Sequence, residues 1–282
     1  MVERPPLVAG QVGRISPLVR RVLEPNPGVM TGPGTNTYLI GPDGGDVAVI
    51  DPGEDDAAHL DLVAAAGEGH IRWILVTHTH SDHSPGAAGL KARTGAQVLG
   101  WSERDGFSPD TLIADDFVLP DAGFTLRAIH TPGHASNHLC YLLEDEKVLF
   151  SGDHVMSGST VVIAPPDGDM AAYFEALERL RGFEVATILP GHGDVIEDPT
   201  GKVDEYLTHR RAREEAISAA LGRAGTATVE QLVEAVYTDV PDHLHPIARY
   251  SVWAHLRKLA ADGRATTTDP DDLASEWQAA PR

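Results

Sequence analysis

Cysteine is nearly absent from this 282-residue chain: Cys140 stands alone, which excludes an intramolecular disulfide and a cysteine-built zinc site. Basic residues are scarce as well. Twenty-two Lys and Arg face 42 Asp and Glu, a formal net charge of −20, and a field of that sign argues against a general nucleic-acid binder. No apolar run reaches the length of a membrane span, and the first thirty residues lack the apolar centre of a signal peptide. The expectation is a cytoplasmic protein with no membrane partner. Against these absences stand 14 His residues. With cysteine gone, any metal must be held by imidazole and carboxylate.

The length suits one large α/β domain with a small appendage, or two ordinary domains. Short apolar, often β-branched runs recur at Val47 to Ile50, Ile71 to Val76, Gln97 to Leu99, Leu126 to Ile129, Lys147 to Phe150 and Thr187 to Leu189. Each is bounded by Gly, Pro, Asp or His and reads as a buried strand. Helical patterns lie between them, one from about Ser84 to Arg93. A clearer one runs from Asp169 to Arg181, where a capping Asp precedes Met170, Tyr173, Phe174, Leu177 and Leu180. Glu144-Asp145-Glu146 is short enough for a hairpin, so the sheet or sheets are mixed. After His192 the strand signal stops. A long helix is expected over Val203 to Leu221, a capping box at Thr228 to Gln231, and another helix from Pro246 to about Asp262. The domains expected are residues 1–203 and a helical part over 204–282, whose polar last dozen residues are expected to fray.

The informative stretch is Thr77-His78-Thr79-His80-Ser81-Asp82-His83. An apolar strand ends and four ligand-type side chains come within six residues. In extended backbone His78 and His80 project to one side, while Asp82 and His83 lie a turn further on and can reach a second cation. The event repeats. The strand at Leu126 ends in His130-Thr-Pro-Gly-His134, that at Val148 in Ser-Gly-Asp153-His154, and that at Thr187 in Pro-Gly-His192-Gly. Two divalent ions about 3.5–4 Å apart need six or seven ligands and a carboxylate between them. His78, His80 and His134 suit one ion, Asp82, His83 and His192 the other, and Asp153 can bridge. Asp51, in an Asp-Pro-Gly turn, reads either as the orienter of a ligand or as a plain turn residue. His130, His138 and His154 read as structural or hydrogen-bonded histidines, with His138 and His154 the nearest candidates for a general acid.

These pieces, Ile50-Asp51-Pro52-Gly53, the 77–83 stretch, Thr131-Pro-Gly-His134, Ser151-Gly-Asp153 and Pro190-Gly-His192-Gly, stand in the order found in the metallo-β-lactamase superfamily, which the chain resembles over roughly residues 30 to 200. The resemblance implies an α/β (α+β) four-layer αβ/βα sandwich with two metals at one edge of its sheets. Gly34-Thr35-Asn36-Thr37-Tyr38, His209-Arg210 with Arg213, and the helical tail resemble a narrower subgroup. It holds a lactamase-like endoribonuclease with a winged-helix-like C-terminal domain, polyketide thioesterases and, more distantly, glyoxalase II. Asp153 stands where lactamases carry Cys or Ser, which argues against β-lactam hydrolysis.

The chemistry implied is that of a binuclear hydrolase, zinc the first choice and iron or manganese the alternatives, whose nucleophile is a hydroxide bridging the metals, with Asp82 and Asp153 the catalytic carboxylates. A thiolate leaves with little protonation, so a small acyl thioester or ester is the expected substrate. Residues 204–282 hold 9 basic and 13 acidic side chains, so the tail does not favour RNA. The rival readings are a single-strand endoribonuclease and, in another class, a mononuclear-iron persulfide dioxygenase. Asn36, His138, His209, Arg210 and Arg213 are the candidates for ligand support or substrate contact, the last three forming a cationic wall or else paired with Glu205 and Glu214. Oligomeric state is open.

Overall fold

The computed structural model describes residues 7–158 and 160–280. They divide into two units: the first takes the residues up to 131 with 137–158 and 184–199, the second 132–136, 160–183 and 200–280.

The first unit is built on two mixed sheets. The larger has seven strands in chain order: β1 (Val12–Arg14), β2 (Val19–Leu23), β3 (Asn36–Ile40), β4 (Val47–Ile50), β5 (Ile71–Leu75), β6 (Gln97–Gly100) and β7 (Thr111–Leu112). β1 to β4 pair antiparallel and β4 to β7 parallel, with helices α1 (Ala57–Ala66) and α2 (Gly86–Thr94) in the crossovers. The smaller sheet runs β11-β10-β9-β8, from β8 (Leu126–His130), β9 (Leu139–Leu143), β10 (Val148–Gly152) and β11 (Thr187–Pro190). Its first three strands are antiparallel, and β11 lies parallel to β10.

Alternation along the strands decides what each face buries. Tyr38, Ile40, Ala48 and Ile50 share one core with Leu126, Ala128, Leu139, Tyr141 and Phe150 of the smaller sheet. Their neighbours Leu39, Val47, Val49 and Ile74 turn the other way and pack with Leu60 and Val63 of α1 and Ala87 and Leu90 of α2. Strands buried on both faces need no polar alternation, which is why these runs read as continuous apolar segments. Cys140 is fully buried in β9 as a small apolar residue.

Two parallel pairs place the chemistry. Ile50 lies opposite Leu75 and Gly152 opposite Pro190, so Asp51 and Thr77 leave adjacent strand ends, as do Asp153 and His192. Crevices at the carboxyl ends of parallel strands are where open α/β sheets bind ligands.

In the second unit α3 (Met170–Leu180) is capped as expected by Asp169, whose side chain accepts the Ala172 N–H. α4 (Pro199–Ala224) is longer at both ends than the apolar spacing suggests, α5 (Val229–Val236) carries the Thr228–Gln231 capping box, and α6 (His245–Ala261) has Pro246 in its first turn. Three short strands, β12 (Thr226–Ala227), β13 (Ala265–Thr267) and β14 (Trp277–Ala279), form an antiparallel sheet in the order β12-β14-β13. The expectation that the last dozen residues fray is corrected here: Trp277 is 0 % exposed and packs with Val229, Leu232, Val252 and Leu256. One large indole in a polar tail is enough to anchor it, because a buried aromatic removes about 150–250 Å² from water. No helix among the described residues is long and apolar enough to cross a membrane.

Replacing Trp277 with Ala should lower unfolding free energy by about 3–5 kcal/mol, read by urea denaturation; an unchanged midpoint would show that the tail is not part of this core. A second expectation concerns His59 in the first turn of α1. Burial pushes its pKa down to about 4 from 6.5, so the neutral ring's contribution is complete above about 6.5 and is lost as pH falls toward 4. The loss of stability between pH 7 and 5 should be smaller in His59→Gln than in the wild type.

Candidate metal centre

β5 delivers an irregular segment, not the extended one expected for residues 77–80, before α2 begins at Gly86. His78 and His80 still meet, with His78 Nε2 2.9 Å from His80 Nδ1. The rings of His78 and His83 lie 4.2 Å apart, centroid to centroid. Thr77, between strand and cluster, gives its N–H and its hydroxyl to the two oxygens of Asp51, both at 2.7 Å.

From the smaller sheet come Asp153, just after β10, and His192, just after β11. His192 Nε2 lies 3.2 Å from Asp82 Oδ2 and 3.4 Å from Asp153 Oδ1. His83 Nε2 faces the same two carboxylates at 3.7 and 3.5 Å. The donor atoms of Asp82, His83 and His192 all fall within 4.8 Å of one another, and so do those of His78, His83 and Asp153. Asp153 Oδ1 thus faces both histidines of one cluster while belonging to the other.

The residues fit a divalent cation on two observations. His83 Nε2 and His192 Nε2 are buried and make no hydrogen bond among the described residues, a costly state unless something else takes their lone pairs. Room is kept by glycine: a Cβ on Gly191 would stand 2.7 Å from Asp153 Oδ1 and 2.8 Å from His83 Cε1. Gly152, at φ +48°, is equally constrained, since a Cβ there would meet His138 Nε2 at 2.7 Å and Thr77 Oγ1 at 2.8 Å.

Electrostatics point the same way. Burial works to raise Asp82, but His83 and His192 outweigh it and bring the carboxyl down to about 2. Burial likewise works to lower His192, yet Asp153 and Asp82 carry it up to about 9. His83 is raised and Asp153 lowered against their burial by the same mutual attraction. A pocket that stabilises positive charge this strongly on buried imidazoles accepts protons or a metal, and the two compete.

A ring of supports sets which nitrogen faces the centre. His83 Nδ1 bonds to Asp51 Oδ2 at 2.8 Å and His192 Nδ1 to the Gly34 carbonyl at 3.2 Å, leaving each Nε2 to point inward. In the second unit His134 Nδ1 donates to the Val162 carbonyl at 2.7 Å, which leaves its Nε2 as the acceptor nitrogen. Asp51 sits at φ +51°, a conformation Asp tolerates better than most residues. Its carbonyl accepts the Thr37 hydroxyl at 2.7 Å. Asn36 donates to the carbonyls of Pro190 at 3.0 Å and Gly193 at 2.9 Å and so grips the His192 turn. His138 is fully buried, 2.9 Å from the Thr131 hydroxyl, and its Nε2 accepts the Asp153 N–H at 3.1 Å.

The cationic trio on α4 divides. Arg210 is 2 % exposed, donates to the Val161 carbonyl and lies over the Tyr173 ring. His209 and Arg213 line a cavity of about 280 Å³ with Ala212, Ala216 and Asp239, where Arg213 is paired with Asp239 at 3.1 Å. His154 is fully buried, and His130 stacks on Trp101 with ring centroids 3.7 Å apart. Sequence reasoning missed the supports Thr37, Thr77 and Gly34, and Glu24, which is buried beside Gly53. Position inside a motif was the signal available for Thr77, Gly34 and Thr37; nothing local marks Glu24.

Comparison with known proteins agrees with this architecture. Residues 30–192 match the model of the metallo-beta-lactamase superfamily and residues 228–277 that of the beta-lactamase associated winged helix domain. A beta-lactamase-like protein 2 homolog of Drosophila melanogaster is 34% identical, covering 93% of this chain and 94% of that protein. An atrochrysone carboxyl ACP thioesterase of Cryptosporiopsis is 33% identical over 92% of this chain and 84% of its own. A solved metallo-beta-lactamase family protein of Thermus thermophilus superposes with TM-score 0.77 at 21% identity, over 94% of this chain and 100% of the other. A beta-lactamase domain protein of Burkholderia ambifaria gives TM-score 0.79 at 19% identity, over 96% and 94%. Two mixed sheets, clustered His and Asp donors at their strand ends and a winged-helix region later in the chain make this protein a member of the metallo-β-lactamase superfamily.

Proposed function

We propose that this chain is a binuclear zinc-dependent hydrolase of thioesters or esters, working in the cytoplasm, with its catalytic part in residues 1–203 and the winged-helix-like part in 204–282. The observation that carries the reading is the position of Asp153, whose Oδ1 faces His83 and His192 at 3.5 and 3.4 Å while its carboxylate also groups with His78. That is where a carboxylate shared by two cations belongs. The ligands assigned are His78, His80 and His134 for one ion, Asp82, His83 and His192 for the other, with Asp153 common to both. A nitrogen-rich donor set with hard carboxylates suits zinc, though such a set also takes iron or manganese. When bound, two such ions supply an activated water at neutral pH and polarise the scissile carbonyl.

The chain's own residues account for the rest. Asp51 orients His83, Gly34 orients His192, and Asn36 keeps the His192 turn against β3. In this reading Asp82, whose Oδ2 lies 3.2 Å from His192 Nε2, is the carboxylate that takes the proton of the attacking water. His138 cannot serve as acid to a leaving group, because both its nitrogens are committed to Thr131 and the Asp153 amide. His154 is fully buried. A leaving group that departs without protonation fits such a site, and a thiolate, with a conjugate-acid pKa of about 8.5, is one. Relatives that act as acyl carrier protein thioesterases at 33% and 34% identity support the same substrate class. The excess of acid over base, −20 overall, weighs against RNA.

Metal analysis of the purified chain should find two zinc per chain; one iron instead would favour the dioxygenase chemistry and end the hydrolase reading. Asp153→Ala should lose both turnover and one equivalent of metal, and retention of both would remove its shared role. Offered acyl-coenzyme A, acyl-glutathione and acyl carrier protein beside single-stranded RNA, the same preparation should cleave thioesters. RNA cleavage that disappears in Asp153→Ala would reverse the order of substrates. Asp51→Ala should weaken metal binding by about 10–100-fold in a chelator competition, with the fold retained by circular dichroism.

A further inference from the structure

A carboxylate outside the motifs sits under the centre. Glu24 follows β2, is 1 % exposed, and pays for its burial with few partners. Its oxygens accept the Glu54 N–H at 3.0 and 3.3 Å and the Asn26 side-chain amide at 3.1 Å. Burial pushes its pKa up to about 7; the Glu54 N–H and the more distant His83 work against that, while the charges of Glu54 and Asp56 add to it. A buried acid among acids costs stability, so its place calls for a reason beyond packing.

Two loops meet on this one residue. The first is the Asp51–Glu54 turn. Gly53 approaches the Glu24 carboxylate so closely that a Cβ on it would stand 2.3 Å from Oε2. The same glycine donates its N–H to the His83 carbonyl at 3.2 Å, and Asp51 holds the His83 ring. The second is the Gly34–Thr35 segment. The Glu24 N–H donates to the Thr35 carbonyl at 2.8 Å, and Gly34 packs so tightly on the Glu24 carbonyl that a Cβ would fall 2.1 Å from it. Asn26 ties the two together, donating to Glu24 Oε2 and to Thr35 Oγ1 and accepting the Thr35 N–H. Thr35 forms a bridge pair with His192, and Gly34 accepts from its ring.

We propose that Glu24 is a positioning residue of the Asp82–His83–His192 cluster. Its carboxylate seats the turn that aims His83 and its backbone seats the segment that aims His192. The inference rests on the two-metal reading and adds to it a determinant that touches no metal. Because the side chain acts by accepting the Glu54 N–H, what matters is an acceptor oxygen at full glutamate length. Glu24→Gln keeps that oxygen, Glu24→Asp draws it back by one methylene while keeping the charge, and Glu24→Leu removes it.

The test is zinc titration of the full-length, metal-free chain against a chromophoric chelator, with circular dichroism as the fold control. The binding step that disappears in His192→Ala identifies the cluster. That step should weaken by about tenfold or more in Glu24→Leu and Glu24→Asp, the other step should keep its wild-type affinity, and Glu24→Gln should match the wild type in both. If Glu24→Leu does not fold, the Gln and Asp variants decide. Affinity unchanged in Glu24→Asp, equal weakening of both steps, or Glu24→Gln falling as far as Glu24→Asp would each overturn the proposal. A wild-type chain that binds a single zinc would instead overturn the two-metal reading, whatever the variants do.

Discussion

The Asp51 carboxylate accepts three hydrogen bonds, from the amide and hydroxyl of Thr77 and from the ring of His83, and the geometry of the centre depends on them. They join the end of β4 to the loop after β5, so a parallel strand pair inside the core becomes a fixed platform for His78, His80, Asp82 and His83. They also settle which nitrogen of His83 turns inward. Since the ring is 0 % exposed and its Nε2 faces two carboxylates, a cation between the imidazoles and the acids would satisfy both. Without one, protons must take that place, which is what the raised His83 and His192 express.

The smaller sheet repeats the device. The register shift between Phe150 and Gly152 in the β10–β11 pair lets the chain turn at Gly152 and bring Asp153 over Gly191, where no side chain stands in the way. His138 fixes the Asp153 amide from behind. Histidines that the composition alone would credit to metal thus divide by what their ring nitrogens face and not by depth, since His83 and His138 are both 0 % exposed. His83 and His192 turn Nε2 to the carboxylates of Asp82 and Asp153, whereas His59, His138 and His255 bond a hydroxyl, an amide or a carboxylate elsewhere.

Much of the first unit was legible in the chain. Six apolar runs are strands because residues buried on both faces leave an uninterrupted signal. The strands that escaped, β1, β2, β3 and β7, either carry polar residues that are nonetheless buried, such as Arg20, Arg21, Asn36 and Thr37, or are only two or three residues long. The second unit hid its sheet for the latter reason, with strands of 2, 3 and 3 residues in a stretch dominated by helices. Trp277 shows the limit of composition: its neighbours are polar, and only packing reveals that it closes a core.

By itself the sequence determined the types of the candidate ligands and their order. Four strand ends carry His or Asp beside Gly or Pro, and with one cysteine the donor set had to be nitrogen and oxygen. What only tertiary structure decided is orientation. That Arg210 is committed to Val161 and Tyr173 while its neighbour His209 lines a cavity comes from the turn of one helix on its support. That Glu24, 27 residues before Asp51 and unmarked by any motif, lies beneath both loops of the centre comes from strand pairing. Hydrogen bonds between segments far apart in the chain leave no periodic trace in it, since each partner is chosen by its place in the fold and not by its neighbours in sequence.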